Sequence, residues 1–384
     1  MLTVLTFAFF AKFFFTFGGF EMSNRLDEAR RTINQVDAKM AELFVQRMNT
    51  AAIIADYKRE HGLEIYDEKR EEEVVKRNSS LVKEDEIRPY YVSYLKNTMA
   101  VSRSYQSKLL LGMKVAYCGT EGAFAHIAAC KLFPTAKKIA YESFEAAYRA
   151  ADSGECDVAL LPMENSYQGE VGQVTDLMFS GTLYINSIAE LPVSHDLLVL
   201  EGASAQDIKK VVSHPQALGQ CNDYIKSHGY EPVEFSNTAL AAKYVAEKGD
   251  PTLAAIASEE AGEIYGLKLL DKNINSARNN TTRFAVFSRS MNTHSSNEMG
   301  IHTVLLFTVR NEAGALAKAI DVIGRHGFNM RALRSRPMKE LLWEYYFYVE
   351  AEGNINTAEG KGMIDELGEF CDRLKVVGTF TKAN

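Results

Sequence analysis

The sequence predicts a multidomain protein in which an all-helical domain precedes an α/β domain and a small βαββαβ domain. The chain has 384 residues, more than one domain usually contains. Residues 23–111 contain one glycine, Gly62, and one proline, Pro89, among dense charges of both signs, as in long helices. From Met113 onwards, short apolar runs alternate with helical segments, which is typical of α/β folds.

The helical domain, predicted over residues 22–111, opens with an amphipathic helix. Its apolar residues recur every three or four positions, at Leu26, Ala29, Ile33, Val36, Met40 and Leu43. An unbroken helix from Ser23 to Glu60 would be ~55 Å long at ~1.5 Å per residue. Two shorter helices, predicted near 67–78 and 84–110, cannot cover that apolar stripe. We therefore expect the first helix to pack against its copy in a homodimer or higher homo-oligomer.

The α/β domain is predicted over residues 113–290 and the βαββαβ domain over residues 299–384. Strand-like runs of the α/β domain include KVAYCG, CDVALLPMEN, VVSHPQAL and TRFAVFSR. A polar stretch without periodicity, SMNTHSSNEMG, links the two domains. After it, the pattern predicts strands at IHTVLLFTV and LLWEYYFYVEAEG and a helix at GALAKAIDVIGRHG, which fits a ferredoxin-like fold.

Charge and cysteine content exclude several classes of protein. The formal net charge is -7, which argues against a nucleic-acid partner. The five cysteines are odd in number and form no C-x-x-C pair, so we expect reduced thiols rather than disulfides or a zinc site. We therefore expect a cytoplasmic protein that needs no metal and no cofactor.

Cations on the first helix are placed to hold a small dianion. Arg47 lies in line with the apolar stripe, and Lys58 follows eleven residues later, close to three full turns, so both share a face ~16 Å apart. Arg30 lies ~25 Å from Arg47 along the axis and about a quarter-turn around it. Arg30 can therefore reach the same ligand only from an antiparallel partner chain. The alternative for Arg47 is an arginine that snorkels at a helix–helix seam.

Three segments of the helical domain carry a family resemblance: ARRTINQVDAKMAELFVQRM, YKREHGLEIYDEKREEEV and VSRSYQSKLL. Together they resemble the all-helical chorismate mutases, whose family forms an intertwined dimer and rearranges chorismate to prephenate. The resemblance implies that Arg30 of the partner chain, Arg47 and Arg70 bind the two substrate carboxylates. The rearrangement needs no nucleophile or general base, only a folded substrate and stabilised charge.

The remaining matched positions surround the bond that breaks. The resemblance implies that Lys58 and Gln106 donate hydrogen bonds to the ether oxygen, on which negative charge grows. It assigns Glu71 to the substrate hydroxyl, with Asp67 and Ser102 as supporting contacts. Because Gln106 is neutral, its hydrogen-bond donor would persist at high pH.

Four stretches of the α/β domain combine glycine turns with polar residues: YCGTEGAFAH, LPMENSYQGEVG, SHPQALGQC and NNTTRFAV. Glycines before a helix N-terminus leave backbone N–H groups free for an anion. In this order the stretches resemble prephenate dehydratases. The resemblance implies two α/β lobes like those of a type II periplasmic binding protein, with the site in the cleft between them. We expect the chain to cross between the lobes near Pro192 and Lys268.

The resemblance implies that prephenate loses its ring hydroxyl and CO2 to give phenylpyruvate. The essential threonine of the family corresponds to Thr282, and we expect its weakly acidic hydroxyl to polarise the leaving group by a hydrogen bond. Arg283 would hold a carboxylate. The other implied prephenate-binding residues are Glu164, Asn165, Ser166 and Gln220. A prephenate dehydrogenase would need a G-x-G-x-x-G turn after a strand, which the sequence lacks.

The C-terminal segment NEAGALAKAIDVIGRHGFNMRALRSRP resembles the ACT regulatory domains fused to prephenate dehydratases. The resemblance implies feedback inhibition through an L-phenylalanine site formed by Gly314, Ala315, Leu316, Arg334, Ser335, Arg336 and Pro337. Two positions depart from the family. Ala313 stands where a proline often precedes the glycine, and Arg334 stands where a glutamate is usual. An arginine there replaces an acceptor with a donor, which would change how the ligand amine is held.

As a whole, the chain resembles the bifunctional chorismate mutase/prephenate dehydratases, which are both isomerase and lyase. Its small-molecule partners would then be chorismate, prephenate and L-phenylalanine, in phenylalanine biosynthesis. The alternative is a ligand-binding sensor built from the same modules without turnover. Acceptance of arogenate, channelling, the general acid of the dehydratase step and the choice between dimer and tetramer stay open at this point.

The first twenty residues, MLTVLTFAFFAKFFFTFGGF, contain eight phenylalanines. As a signal peptide the segment lacks a basic start and a small-residue cleavage site, and as a membrane span it is interrupted by Lys12. Phe-rich peptides of this kind resemble the attenuator leaders of phenylalanine-biosynthesis genes. We therefore predict that the enzyme starts at Met22, and that residues 1–21 are disordered or absent in the working protein and do not anchor it to a membrane.

Overall fold

The computed structural model describes residues 3–276, 279–295, 298–338 and 344–381, with side chains from Arg25 onwards. The chain divides into two compact units, Met1–Leu111 and Gly112–Asn384. Among the described residues, no helix is long and apolar enough to cross a membrane.

The first unit consists of three helices, as the sequence predicts. Their bounds are α1 (Thr3–His61), α2 (Glu68–Ser79) and α3 (Arg88–Leu111). Gly62 ends α1 with a φ of 63°, a left-handed conformation that favours glycine. The Asp67 carboxylate caps α2 by accepting a hydrogen bond from the Arg70 amide at 3.0 Å. Pro89 lies in the first turn of α3, where its missing N–H costs nothing.

Helix α1 begins earlier than predicted. It starts at Thr3 and passes through Met22 without a break. Within the described residues the helical backbone includes residues 3–21, and the prediction that residues 1–21 are disordered or absent in the working protein is not tested by this. The side chains of this segment lie outside the described residues, and the start of the working protein at Met22 stays a prediction.

The second unit begins with an α/β lobe. Its elements are β1 (Lys114–Cys118), α4 (Phe124–Leu132), β2 (Lys137–Tyr141), α5 (Phe144–Ser153), β3 (Val158–Asn165), β4 (Gly169–Glu170), α6 (Gly172–Ser180) and β5 (Tyr184–Pro192). Strand β1 pairs in parallel with both β2 and β3. The near-continuous apolar runs of β1 and β3 fit strands buried on both faces.

The chain then crosses into a second α/β lobe. Its elements are β6 (Asp196–Val199), β7 (Lys210–Ser213), α7 (Pro215–Gln220), α8 (Asn222–His228), β8 (Glu231–Glu234), α9 (Thr238–Lys248), β9 (Leu253–Ala257), α10 (Glu259–Tyr265) and β10 (Lys268–Asp271). They form a separate sheet with the strand order β10-β6-β9-β7-β8. The chain returns to the first lobe as β11 (Thr281–Ser288), which pairs antiparallel with β3 and β5.

Two segments therefore connect the lobes, as predicted, but only one lies where the sequence placed it. The first follows Pro192, the last residue of β5. The second lies between Asp271 and Thr281, not at Lys268, because Lys268 begins β10 and pairs with Val199 of β6 within the second lobe. The apolar run LKLLD does not reveal which lobe its strand joins.

The C-terminal region has the predicted βαββαβ order. Its elements are β12 (Ile301–Val309), α11 (Ala315–Arg325), β13 (Asn329–Pro337), β14 (Tyr345–Glu352), α12 (Ala358–Phe370) and β15 (Cys371–Thr381). It is not a separate body, since β15 pairs in parallel with β5 through Gly378 and Ile185. Among the described residues, one sheet thus runs β13-β14-β12-β15-β5-β11-β3-β1-β2, with β4 attached to β3.

One hydrophobic core spans this junction. It includes Ile185, Ala285 and Phe287 from the first lobe together with Leu306 and Phe380 from the C-terminal region, all nearly fully buried. The close approach of β15 to β5 requires a glycine. A Cβ atom at residue 378 would lie 2.1 Å from the Ile185 carbonyl oxygen, well inside contact distance.

We predict that Gly378→Ala lowers the unfolding free energy of the second unit by about 2 kcal/mol, because β15 must move away from β5. Scanning calorimetry of the full chain would measure the shift. The control is Gly368→Ala in α12, where an added Cβ meets no atom within 4 Å; it should be neutral or stabilise by up to ~1 kcal/mol. Equal effects of the two substitutions would contradict the role given to Gly378.

Candidate active sites

The first cluster lies where α1 packs on α3. The Arg47 guanidinium donates hydrogen bonds to the Ser102 hydroxyl and, at 3.4 Å, to the Thr98 carbonyl oxygen. Ser102 and Gln106 are buried one turn apart on α3. The Gln106 Oε1 atom is buried and has no hydrogen-bond partner among the described residues. Arg47, Ser102 and Gln106 are thus brought together as predicted.

Charged residues of the α1–α2 region extend this cluster. Lys58 donates a hydrogen bond to the Ile65 carbonyl oxygen in the loop after α1. Glu71 forms an ion pair with Arg103 of α3, and the Arg103 guanidinium lies 5.2 Å from the centre of the Tyr66 ring. Sequence reasoning missed Arg103, because its partner is 32 residues away and no local spacing marks the pair.

Arg30 does not join this cluster within one chain. Its side chain is 67% exposed and pairs with Asp27 at 3.7 Å. The straight helix separates it from Arg47 by ~25 Å along the axis. Apolar side chains along the same part of α1 are also exposed, among them Leu26, Ile33 and Leu43.

The second cluster lies where the two lobes meet. Asn165 at the end of β3 is paired in register with Thr282 of β11. The Asn165 amide nitrogen donates to Thr282 Oγ1 at 3.0 Å and to Asn280 Oδ1 at 2.8 Å. Asn280 Nδ2 in turn donates to Gln220 Oε1 at 3.1 Å. Asn165, Gln220 and Thr282 are therefore linked through Asn280, an asparagine that the sequence did not single out, and their roles toward prephenate stay predictions.

Ser166 fixes the backbone next to this cluster. Its hydroxyl donates to the Asn279 carbonyl oxygen at 2.8 Å and accepts from the Thr281 amide at 2.9 Å. Its single hydrogen and one acceptor position are thus used within the chain. The structure gives Ser166 the role of holding the start of β11 against the end of β3.

A third cluster of charges lies on the opposite face of β11. Arg283 forms two hydrogen bonds with Glu350 of β14, both at 2.9 Å, and a third with Glu164 at 3.3 Å. Glu164 also pairs with Arg334 of β13. Burial alone would lower the pKa of Arg283, but the hydrogen bond and the charge of Glu350 outweigh burial and hold it above its usual value.

In this structure Arg283 and Glu164 do not lie on the same face as Thr282, and their binding of prephenate stays a prediction. Successive side chains of a strand point to opposite faces, so Thr282 and Arg283 diverge. Glu164 is paired in register with Arg283, just as Asn165 is paired with Thr282. Arg283 and Glu164 instead join the first lobe to the C-terminal strands.

The residues predicted to bind L-phenylalanine in the C-terminal region fall into two groups, because alternate side chains of a strand point to opposite faces. Gly314 precedes α11 with a φ of 84°, and Ala315 and Leu316 open that helix. Leu316 lines a cavity of about 120 Å³ together with residues at the adjoining ends of β12 and β14. Ser335 and Pro337 are exposed on β13.

The side chains of Arg334 and Arg336 point away from the exposed face of β13 and contact the first lobe. Arg336 Nε donates to Asp176 Oδ1 at 3.0 Å and to the Tyr346 hydroxyl at 3.2 Å, while Arg334 pairs with Glu164. Carboxylates of the first lobe hold both arginine side chains in this structure, and their contribution to a phenylalanine site stays a prediction.

Comparison with known proteins identifies the family. Residues 29–107 match the family model of chorismate mutase type II, and residues 115–292 match that of prephenate dehydratase. A bifunctional chorismate mutase/prephenate dehydratase of Neisseria gonorrhoeae is 32% identical over 94% of this chain and 99% of its own length. The chain belongs to the family of bifunctional chorismate mutase/prephenate dehydratases. It therefore carries an isomerase and a lyase activity that act in sequence on chorismate and prephenate, in phenylalanine biosynthesis.

Solved structures agree with the fold of the second unit. A prephenate dehydratase of Arthrobacter aurescens, in complex with L-Phe, has a TM-score of 0.64 and 26% identity, covering 71% of this chain and 90% of its own. A protein described as GqqA, a novel type of quorum quenching acylase, has a TM-score of 0.66 and 31% identity, covering 70% of this chain and 98% of its own.

Family membership gives the clusters of polar residues their chemistry. In the mutase unit, Arg47 and Lys58 supply positive charge, and Gln106 presents a buried amide. A chorismate dianion would be drawn to these cations, and its ether oxygen needs a donor as the C–O bond breaks. In the dehydratase lobes, the linked hydroxyl and amides offer hydrogen bonds without a strong acid, which fits the departure of hydroxide assisted by aromatisation.

Sequence reasoning missed Asn280, His195 and Glu350. Asn280 lies inside the NNTTRFAV stretch, directly before Thr281 and Thr282. His195 lies shortly after Pro192, at the predicted crossing between the lobes. A polar residue at such a crossing is the sequence feature that could have indicated it. Glu350 lies within the apolar run YFYVEAEG, and a lone buried acid there indicates a buried cationic partner.

Proposed function

We propose that Thr282 is the hydrogen-bond donor to the departing ring hydroxyl of prephenate. The observation that carries this proposal is the 3.0 Å hydrogen bond from Asn165 Nδ2 to Thr282 Oγ1. A threonine hydroxyl has one hydrogen to donate. Because Asn165 occupies an acceptor position of the oxygen, the Thr282 hydrogen is directed elsewhere, toward a ligand in the cleft. Accepting this bond also makes the Thr282 O–H a stronger donor.

With Thr282 in this role, the dehydration needs no general acid whose pKa matches that of the departing hydroxyl group. The C–O bond to the ring hydroxyl breaks as the carboxylate leaves as CO2, and the electron pair of the broken C–C bond completes the aromatic ring. Negative charge grows on the departing oxygen, and a fixed donor stabilises it at that moment. Gln220, which belongs to the same hydrogen-bonded chain, holds the substrate beside Thr282, while Asn165 positions the Thr282 hydroxyl.

We predict that Thr282→Ala lowers phenylpyruvate formation by roughly a hundredfold or more, as expected when a transition-state hydrogen-bond donor is lost. Mutase activity in the same preparation should be unchanged, since it lies in the other unit. Chorismate consumption and phenylpyruvate absorbance measure the two steps. Thr282→Ser, which keeps the hydroxyl, should retain part of the dehydratase activity.

Two results would contradict this assignment. Equal loss of both activities would show that the two sites are not separate. Prephenate that accumulates with the unmodified protein, without phenylpyruvate, would remove the dehydratase assignment and leave the mutase assignment intact.

The mutase site is completed by a second copy of the chain. Arg30 lies ~25 Å from Arg47 along a straight helix, and it is exposed beside unpartnered apolar side chains such as Ile33 and Leu43. An antiparallel copy of α1 would cover this apolar face and bring its Arg30 toward the Arg47 and Lys58 of the first chain. Each site of the homodimer would then hold the chorismate carboxylates with cations from two chains.

We predict that Arg30→Ala and Lys58→Ala each lower mutase activity by roughly a hundredfold or more. Mixing the two inactive proteins should restore activity, because a hybrid dimer has one site with both cations and one with neither. At full exchange of equal amounts, half of the dimers are hybrids, so about one quarter of all sites would be intact, by binomial mixing. Labelled subunits confirm exchange, and no recovery despite exchange would contradict the shared site.

L-Phenylalanine regulates the dehydratase through the C-terminal region. The Arthrobacter aurescens relative was solved in complex with L-Phe. In this chain, Gly314 leaves open space at the start of α11, where backbone N–H groups can receive a carboxylate. The cavity at Leu316, which apolar and charged residues line together, lies at the end of the sheet that also carries exposed Ser335 and Pro337. The ring and the carboxylate of the amino acid would bind these features.

We predict that L-phenylalanine inhibits phenylpyruvate formation, and that Gly314→Val abolishes this inhibition because a β-branched residue strains a φ of 84°. The control is Gly300→Val at the opposite end of β12, where φ is 71° and the surroundings are equally open. Inhibition curves with both variants test the site. Loss of inhibition in both would attribute the effect to strain in general and contradict the assignment to Gly314.

A further inference from the structure

His195 lies in the first segment that connects the lobes, between β5 and β6, and is only 4% exposed. Its Nε2 atom lies 2.8 Å from Gln220 Oε1, and the ring edge faces Phe124 with 5.8 Å between ring centres. Its Nδ1 atom is buried without a hydrogen-bond partner among the described residues. Its own carbonyl oxygen accepts from the Ile274 amide, in the second connecting segment.

The tautomer of this histidine follows from backbone donors at the other end of the hydrogen-bonded chain. The amides of Tyr167 and Gln168 donate to Asn165 Oδ1 at 3.0 and 3.1 Å. A backbone N–H can only donate, so the Asn165 carboxamide can have only one orientation. Its Nδ2 group therefore donates to Asn280 Oδ1, and this leaves Asn280 Nδ2 to face Gln220.

The orientation of Asn280 fixes the orientation of the Gln220 amide and then the tautomer of His195. Because Asn280 Nδ2 is a donor, the atom of Gln220 that it meets at 3.1 Å is the oxygen. His195 Nε2 approaches that same oxygen, so it must carry a proton. Burial lowers the pKa of His195, and outweighs the opposing effects of the Gln220 hydrogen bond and the Asp196 charge. The neutral ring, protonated on Nε2, therefore satisfies both the contact and the burial.

Gln220 Oε1 thus accepts two hydrogen bonds, one from each connecting segment. With both lone pairs engaged, the carboxamide cannot rotate without losing two bonds, and its Nε2 group is held on the side away from Asn280 and His195. Two donors on one oxygen also draw charge from the amide, which strengthens its N–H groups as donors.

We propose that His195 is a positioning residue of the dehydratase, which as the Nε2–H tautomer orients the Gln220 amide so that its N–H groups bind prephenate. This deepens the proposed function, because it requires that the Thr282 cleft is the dehydratase site. His195 itself does not touch the reacting atoms. Its contribution is a binding one, so it is expressed in KM rather than in kcat.

Three variants of the full chain separate this role from a merely structural one. In His195→Gln the amide nitrogen takes the place of Nε2 and can still donate to Gln220. In His195→Asn the nitrogen falls near the place of Nδ1, so the donor to Gln220 is lost. His195→Phe keeps the ring shape but donates to nothing. Mutase activity, measured on each preparation, reports the amount of protein, and the calorimetric unfolding transition of the second unit reports whether that unit is intact.

We expect KM for prephenate to rise roughly tenfold in His195→Phe and His195→Asn, with kcat per intact enzyme within about threefold of the unmodified protein. His195→Gln should restore KM to within about threefold. A structural role alone would lower the active fraction and leave KM unchanged. An unchanged KM in His195→Phe, or equal KM values for the glutamine and asparagine variants, would overturn the proposal. If His195→Phe does not fold, the glutamine–asparagine comparison decides alone.

Failure of the proposal and failure of the dehydratase assignment give different results. If the unmodified protein forms no phenylpyruvate from prephenate, the assignment itself is wrong. If the unmodified protein is active and the histidine variants show no difference in KM, the cleft is the dehydratase site and only the role of His195 is wrong.

Discussion

The alternation of side chains along strand β11 is the constraint on which the second unit depends. Thr282 turns toward Asn165 and the hydrogen-bonded chain of the cleft, and Arg283, the next residue, turns toward Glu350 on the other face. A slip of the strand by one residue would exchange the two faces and break both sets of contacts. Pairing with β3 on one side and β5 on the other prevents that slip.

The charges behind β11 balance one another. Arg283 and Arg334 face Glu164 and Glu350, two positive groups for two negative ones, and Glu350 is almost wholly buried. Removal of one partner from such a buried group typically costs about 3–5 kcal/mol. A glutamate at position 334, as is usual in the family, would bring another carboxylate close to Glu164. The arginine at this position is therefore explained by its neighbour in the first lobe.

Much of the architecture follows from the sequence. The scarcity of glycine and proline before Leu111 predicts three helices, and the alternation of apolar runs after Met113 predicts the two-lobed region. That Asn165, Gln220 and Thr282 lie at one site is implied by the resemblance to prephenate dehydratases and not by their spacing. The divergence of Thr282 and Arg283 also follows from the sequence, because TTRFAV predicts a strand and adjacent side chains of a strand point to opposite faces.

Other contacts had no local signal. His195 and Asn280 meet Gln220 across 25 and 60 positions of sequence, and only the closure of two lobes brings them together. Glu71 and Arg103 lie on different helices. The pairing of β15 with β5 was also hidden, since strands of this length can be paired in many ways without changing the hydrophobic pattern.

That pairing affects how the C-terminal region can be exchanged or lost. With β15 removed, β5 would become the outermost strand of its sheet, with unpaired backbone groups. The apolar side chains of Ile185 and Ile188 would also lose part of their cover. Exposed edges of this kind recruit other chains and promote aggregation. The regulatory region therefore also acts as a cover for the catalytic lobe. Transplanting it between enzymes requires the recipient to carry a matching edge strand, which Gly378 of the transplanted β15 can then approach closely.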